Sequence, residues 1–120
     1  MIRPLLVELS YFEGCPHWRE LDARLAALQR EFGFELTHRI IRSPEDADDY
    51  GFLGSPSVRV NGLDPFASSD APVGLACRTY ETPDGRAGSP TLAQLRSALA
   101  TAAEAAATEA AATEEGDQSS

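Results

Sequence analysis

Hydrophobic and polar residues follow two different periods along the chain, and these periods predict its elements. Residues 5–12 form a short apolar run, which is typical of a buried strand. In the next segment the apolar positions recur every three or four residues, as on one face of a helix: Trp18, Leu21, Leu25, Leu28 and Phe32. Gly33 follows Phe32 and is typical of a residue that ends a helix. The pattern therefore predicts an amphipathic helix directly after the first strand.

Three later segments have the composition and length of strands. Polar and apolar residues alternate at about 34–41, which indicates a half-buried strand. Two valines mark a strand at about 57–61. A fourth strand is predicted at about 75–81, after a long loop rich in Asp, Pro and Ser.

Two further helices are predicted from their N-terminal signals. Ser43-Pro44 combines a capping residue with a proline at the first helical position, so a short helix should run to Tyr50. Ser89-Pro90-Thr91 repeats this pattern and opens a last helix with an apolar stripe at Leu92, Leu95 and Leu99. The resulting order, β-α-β-α-β-β-α, predicts an α/β fold with one four-stranded mixed sheet flanked by helices.

Residues 1–100 are predicted to form one domain, and residues 101–120 a tail. The tail repeats alanine and glutamate with a period of about five, which matches neither a helix face nor a strand face. Alanine has high helix propensity but buries little area against a core. We therefore expect the last helix to extend partly into the tail, and the final residues of the tail to be disordered.

The net charge of −9 narrows the range of partners. Five acidic residues follow the last arginine and carry more than half of this charge: Glu104, Glu109, Glu114, Glu115 and Asp117. The rest of the chain is also negative, so nucleic acid is not an expected partner. The apolar runs are far shorter than the roughly 20 residues of a membrane-spanning helix, so no membrane partner is expected.

The chain has two cysteines, Cys15 and Cys77. Its first ten residues have neither the basic region nor the long apolar run of a secretory signal. We therefore expect a cytoplasmic location, where thiols stay reduced. Both cysteines are then expected to be free thiols.

The motif with the most evident chemistry is Cys15-Pro16-His17-Trp18. Cys15 lies where the first strand ends and the first helix begins. Backbone N–H groups and the helix dipole stabilise a thiolate there, and thiols at such sites titrate at roughly 3.5–7.5 instead of about 8.5. A redox Cys-x-x-Cys motif would have its second cysteine at position 18, where this chain has tryptophan. The motif therefore predicts a single reactive thiol.

The residues beside Cys15 also have structural explanations. Trp18 lies on the helix stripe and is expected to pack in the core. His17 is one position off the stripe and is expected to face solvent, where its protonated form could stabilise the thiolate. His38 is expected to be a tolerated polar residue on the second strand. The spacing of histidines and cysteines is not that of a zinc site, so neither a metal nor a cofactor is expected.

A second motif, Gly54-Ser55-Pro56-Ser57, precedes the third predicted strand. With Cys15-Pro16-His17 and the order of elements, it means that roughly residues 5–100 resemble the thioredoxin-like superfamily. In that superfamily a cis proline packs against the active-site cysteine, and the resemblance implies that this proline is Pro56. The residue before it lends backbone groups to a bound peptide or thiol, which implies this role for Ser55. Pro16 and Pro56 would together shape the site.

Further segments resemble a narrower group. Phe12-Glu13-Gly14-Cys15-Pro16, Asp64-Pro65-Phe66 and Cys77-Arg78-Thr79-Tyr80 are similar to segments of small bacterial proteins labelled thioredoxin-family or alkylmercury-lyase-like. That resemblance implies a thioredoxin-like fold. Cys-Pro-His also begins the motif of strongly oxidising disulfide-forming enzymes, but Trp18 replaces their second cysteine, which argues against dithiol oxidase activity.

Cys77 is the candidate second thiol. Its predicted strand belongs to the same sheet as the strand that precedes Cys15. A disulfide needs Cα atoms about 4.4–6.8 Å apart, and the sequence leaves open whether Cys77 meets that requirement. Cys77 is therefore either a functional partner of Cys15 or a buried structural cysteine.

Three functions are compatible with these residues. The first is a thioredoxin-like single-thiol redox protein, in which Cys15 exchanges with a small thiol or a protein disulfide. The second is soft-metal or organomercurial handling by Cys15 and Cys77, since thiolates select soft metals. Asp64 and Asp70 would then be unassigned candidates for a proton donor. The third is a non-catalytic, thioredoxin-like binding scaffold.

Overall fold

The computed structural model of the chain describes residues 5–67 and 73–119, with side chains as far as residue 107. Its elements are, in chain order, β1 (Leu6–Tyr11), α1 (Trp18–Phe32), β2 (Glu35–Ile40), α2 (Pro44–Tyr50), β3 (Ser57–Val60), β4 (Tyr80–Thr82), β5 (Gly85–Ala87) and α3 (Leu92–Ser119). The described residues contain no helix that is both long and apolar enough to cross a membrane.

The larger sheet has three strands in the order β2-β1-β3. Its central strand β1 runs parallel to β2 and antiparallel to β3, so that Leu9 lies beside His38 on one side and Val58 on the other. The parallel pair is joined through α1, as the strand-helix-strand pattern of the sequence predicts. This arrangement places the C-terminal end of β1 next to the start of β3, at one end of the strands.

The predicted α/β class is correct, but the predicted four-stranded mixed sheet is wrong. Instead of a strand at 75–81, the chain makes an isolated parallel bridge between Cys77 and Ser55 and becomes a strand only at Tyr80. That strand, β4, pairs with β5 in a separate two-stranded sheet. The observed order is therefore β-α-β-α-β-β-β-α.

The outer edge of β3 explains why no fourth strand is added there. Val60 and Leu63 donate their N–H groups to each other's carbonyl oxygens at 2.8 and 3.1 Å, so the turn after β3 uses that edge itself. The backbone of residues 76–78 bonds to Ser55, which precedes β3. A strand needs a free row of backbone groups to pair with, and this edge does not offer one.

Helices α1 and α3 cover one face of the three-stranded sheet. The core combines apolar side chains of β1, β3 and both helices: Val7, Leu9, Leu21, Leu25, Leu28, Val58, Val60, Leu95 and Leu99. The predicted stripe of α3 is correct at Leu95 and Leu99. Leu92 is 37% exposed, so its assignment to the stripe is wrong. It is the first residue of the helix.

The start of α3 lies slightly later than its sequence signals suggested. Thr91 and Gln94 form a reciprocal capping box: the Gln94 N–H donates to Thr91 Oγ1 at 3.1 Å, and the Thr91 N–H donates to Gln94 Oε1 at 2.9 Å. The helix includes most of the predicted tail, and the separation of residues 101–120 from the domain stays a prediction.

Helix α2 packs on the opposite face of the sheet over a small apolar cluster of Ile41, Ala47 and Phe52. Ser43 caps it as predicted, because the Asp46 N–H donates to Ser43 Oγ at 3.1 Å. Most of the remaining surface on this face is polar. The two faces thus differ, with the main core on one side and a smaller, partly polar contact on the other.

Candidate functional site

Cys15 lies in the turn between β1 and α1. Its N–H donates to the Phe12 carbonyl oxygen at 3.3 Å, and the residue is only 5% exposed. Helix α1 begins at Trp18, and its N-cap residue, His17, makes no side-chain capping bond. Cys15 therefore precedes the N-cap residue by two positions. The His17 side chain does not accept a hydrogen bond from the first N–H groups of α1, which lie beside the Cys15 turn.

The segment of residues 54–57, here called the proline loop, lies against this turn. The Phe12 N–H donates to Ser55 Oγ at 3.3 Å, so the Ser55 side chain ties the loop to the turn that carries Cys15. The Ser55–Pro56 peptide bond is cis. Both residues are almost completely buried. The structure thus places Ser55 against the turn that carries Cys15, with the cis bond to Pro56 directly after it. The packing of Pro56 against Cys15 stays a prediction.

The backbone of Ser55 bonds to a second segment on its other side. Its N–H donates to the Ala76 carbonyl oxygen at 2.8 Å, and its carbonyl oxygen accepts from the Arg78 N–H at 2.9 Å. Cys77 lies between these two residues and is exposed. Both backbone groups of Ser55 that the resemblance assigns to a bound peptide are therefore occupied by the chain itself.

Cys77 is a free thiol, as is Cys15. Cys77 was predicted to be either a buried structural cysteine or a functional partner of Cys15. Its side chain is exposed, so the first alternative is wrong. Ser55 separates the two cysteine-bearing segments, because it bonds to both.

A buried ion pair lies behind the proline loop. Arg78 donates to Asp64 at 2.5 and 3.3 Å, and the two side chains are 9% and 8% exposed. Arg78 also donates to Ser57 Oγ at 3.1 Å, and Ser57 Oγ in turn donates to the Gly54 carbonyl oxygen at 2.5 Å. The ion pair is thereby bonded to both ends of the proline loop.

Tyr80 connects this pair to Pro56. Its hydroxyl donates to the Pro56 carbonyl oxygen at 2.5 Å, and the Arg78 guanidinium carbon lies 4.5 Å from the centre of its ring. Burial raises the pKa of the Tyr80 hydroxyl far above its ordinary value. The Arg78 charge opposes this shift in pKa, whereas the charge of Asp64 and the thiolate form of Cys15 add to it. Cys15, Tyr80 and the ion pair therefore belong to one electrostatic neighbourhood.

Trp18 occupies the position of the missing second cysteine and has contacts of its own. Its ring stacks on Tyr11, with the ring centres 4.1 Å apart and the planes 8° from parallel. It is partly buried against the main core. Arg19 lies over its outer face, 5.5 Å from the ring centre. The residue thus fills the edge of the core beside Cys15.

His17 is about half exposed, and its Nδ1 lies 3.9 Å from a carboxylate oxygen of Glu20. Its ring also lies against Gly88, where a Cβ atom would come within 2.3 Å of it. His38, the other histidine, is exposed on β2, and its Nε2 lies 2.6 Å from Asp22 Oδ1. Each histidine thus lies near a carboxylate on α1.

Sequence reasoning missed Asp64, Arg78 and Tyr80 as parts of this region. Arg78 had no predicted role, and Asp64 was only an unassigned acid. A signal was present in the pattern: Arg78 and Tyr80 alternate with the exposed Cys77 and Thr79, which places both on one side of the chain. The other candidate acid, Asp70, lies outside the described residues.

The described part of the chain contains no group of three or more His, Cys, Asp or Glu side chains placed to hold a metal ion. Comparison of the chain with protein-family models finds no match, and comparison with curated proteins finds no match either. Any assignment of function therefore rests on the residues of this chain and their geometry.

Proposed function

We propose that this protein exchanges thiols and disulfides through one reactive thiol, Cys15. The observation that carries the proposal is the position of Cys15 just before α1, in a turn bonded to Ser55 of the proline loop. The resemblance of these motifs to the thioredoxin-like superfamily supports the same function. A cytoplasmic location, where small thiols are abundant, is part of the proposal.

The exchange would take place in two steps. The Cys15 thiolate attacks one sulfur of a disulfide RS–SR′, forming Cys15–S–S–R and releasing R′S⁻, which takes a proton from water. A small thiol then attacks the mixed disulfide, which returns Cys15 to the thiolate and releases the remaining group R as a disulfide with that thiol. No net oxidation of the protein occurs, so a second cysteine is not required.

Two features favour a single-thiol cycle over a dithiol cycle. Trp18 fills the position of a second cysteine and is held by its stack on Tyr11. Ser55 lies between the segments of Cys15 and Cys77 and bonds to both. The low exposure of Cys15 also favours a small disulfide over a folded protein as its substrate, because a small molecule needs less room.

The test is the rate of alkylation of Cys15 as a function of pH. We expect Cys77→Ser protein, in which Cys15 is the only thiol, to react with iodoacetamide with a midpoint at least one pH unit below about 8.5. The helix N-terminus stabilises the thiolate and therefore lowers the midpoint. Mass spectrometry of the intact chain measures the modified fraction. The same protein should form a mixed disulfide with oxidised glutathione.

Cys15→Ser protein provides the matched control, because it leaves only the exposed Cys77. The alkylation midpoint measured on this protein is the reference for that of Cys15. Equal midpoints for Cys15 and Cys77, or no mixed disulfide on Cys15, would contradict the proposed function.

A further inference from the structure

We propose that the Arg78–Asp64 ion pair is a positioning pair that tunes the reactivity of Cys15 from behind the proline loop. This proposal rests on the proposed function, because it concerns the same thiol. It assigns a role to two residues that do not touch the reacting atoms. They act on Cys15 through their contacts with the proline loop and through the electrostatic effect of their charges.

The first argument is the position of the pair. Arg78 is bonded by its backbone to Ser55 and by its side chain to Ser57, so it holds the proline loop at two points. Ser55 in turn bonds to the turn that carries Cys15. A continuous set of contacts therefore joins the ion pair to the turn that carries Cys15.

The second argument is the burial of both charges. Removing a carboxylate and a guanidinium from water costs several kcal/mol for each ion, and apolar side chains of similar size often give equal or higher stability. Another ion pair that joins distant residues, Arg96 with Glu31, is half exposed at 49% on each side chain. Stability alone thus gives little reason for the burial of Arg78 and Asp64.

The third argument is electrostatic. Tyr80 contacts both the proline loop and Arg78: its hydroxyl donates to the Pro56 carbonyl oxygen, and its ring lies against the Arg78 guanidinium. Charges in such a buried region act at lower effective dielectric than charges in water. Together the charges of the pair sum to zero. Removal of one partner leaves an unpaired charge. A remaining Arg78 cation would stabilise the Cys15 thiolate, and a remaining Asp64 anion would destabilise it.

Other charged or titratable groups on the elements around Cys15 must be kept constant in a test. On the side of α1 these are His17, Glu20 and Arg19, and in the preceding turn Glu13. Beyond the proline loop they are Tyr80 and Cys77. None of them is changed in the variants below except Cys77, which is replaced by serine throughout.

The test compares the alkylation midpoint of Cys15 in four proteins. Asp64→Asn leaves the Arg78 cation without its partner and should lower the midpoint by about half a pH unit or more, since a cation stabilises the thiolate. The double variant Asp64→Asn/Arg78→Gln removes both charges and should return the midpoint to near that of the parent. An unpaired buried charge of either sign loosens the fold, so Arg78→Gln, which should raise the midpoint instead of lowering it, distinguishes the electrostatic effect from a loosened fold.

The matched control is Glu31→Gln, which breaks the exposed pair with Arg96 at the far end of α1. It should leave the midpoint unchanged. Circular dichroism checks that each variant is folded. If Asp64→Asn does not fold, Arg78→Gln replaces it: a raised midpoint supports the proposal, and an unchanged or lowered one overturns it.

The failure of this proposal can be distinguished from the failure of the proposed function. An acidic midpoint for Cys15 that Asp64→Asn leaves unchanged, or that stays displaced in the double variant, overturns the role of the ion pair and leaves the single-thiol function intact. An ordinary midpoint near 8.5 in the parent overturns the proposed function itself.

Discussion

At the scale of single residues, Tyr50 shows how a polar side chain is kept on the α2 face of the sheet. Its hydroxyl donates to Glu8 Oε1. The guanidinium carbons of Arg59 and Arg39 lie 3.8 and 4.8 Å from its ring centre. Burial, followed by the hydrogen bond to Glu8, raises the pKa of Tyr50 from 10.0 to about 12.

This shift predicts a pH dependence of stability. The folded protein holds the Tyr50 proton more tightly than the unfolded chain, so the stabilisation is complete below pH 10 and is lost as the pH rises towards about 12. Tyr50→Phe lacks this proton. It should be less stable than the parent at pH 8, because the bond to Glu8 is missing.

The difference between the two proteins should become smaller as the pH rises from 8 to 11, which lies within that window. Urea unfolding midpoints at both pH values measure it. The other tyrosines are common to both proteins and do not affect the comparison. A difference that stays constant or grows with pH would contradict the assignment.

At the scale of elements, the close approach of the proline loop to residues 76–78 depends on Gly54. Its φ of +112° is unfavourable for any residue with a Cβ atom. A Cβ there would also lie 2.9 Å from Arg78 Cβ and 3.2 Å from the Ala76 carbonyl oxygen. Those neighbours bond to Ser55 through their backbones and cannot withdraw without loss of the bonds.

Gly54→Ala should therefore lower the melting temperature strongly. Gly62→Ala is the matched control, because Gly62 has a φ of +83° and no atom within 4 Å of a Cβ built there. Gly62→Ala also places a Cβ atom on a residue with positive φ, but that atom would not collide with a neighbour. We expect the Gly54 variant to melt at least about 4 °C below the Gly62 variant, as measured by circular dichroism. Equal melting temperatures would show that the two segments do not pack as described.

At the scale of the whole molecule, α3 closes the core and then extends into the alanine-rich tail. Leu95 and Leu99 are almost completely buried, and Ala102, Ala103 and Ala106 pack partly against the same cluster. The helix therefore contributes apolar area as far as about residue 106.

Truncation should separate these two parts of α3. A chain that ends at Ala107 keeps all α3 residues whose side chains are described as part of the core cluster, and should melt within about 3 °C of the full chain. A chain that ends at Ala98 loses Leu99 and the packed alanines, and should lose about 3 kcal/mol or more of stability. Thermal melts of both chains test this. A strong destabilisation by the shorter deletion would contradict the predicted division at residue 100.

Particular residues show where prediction from the sequence succeeded. The stripe Leu21, Leu25 and Leu28 is buried as its spacing required, and Ser43 caps α2. These features depend on neighbours within about one helical turn. The fourth strand failed because its pairing depends on whether a distant edge is free, and the turn at Leu63 uses that edge.

The sequence by itself determined the local features: the helix after Cys15, the tryptophan where a second cysteine would stand, and the excess of negative charge. Only the tertiary structure decided that Ser55 bonds both to the turn that carries Cys15 and to the segment that carries Cys77. It also decided that Asp64 and Arg78, fourteen residues apart, form a buried pair. Periodicity and capping act through neighbouring residues, whereas the partner of a buried charge depends on how the whole chain is folded.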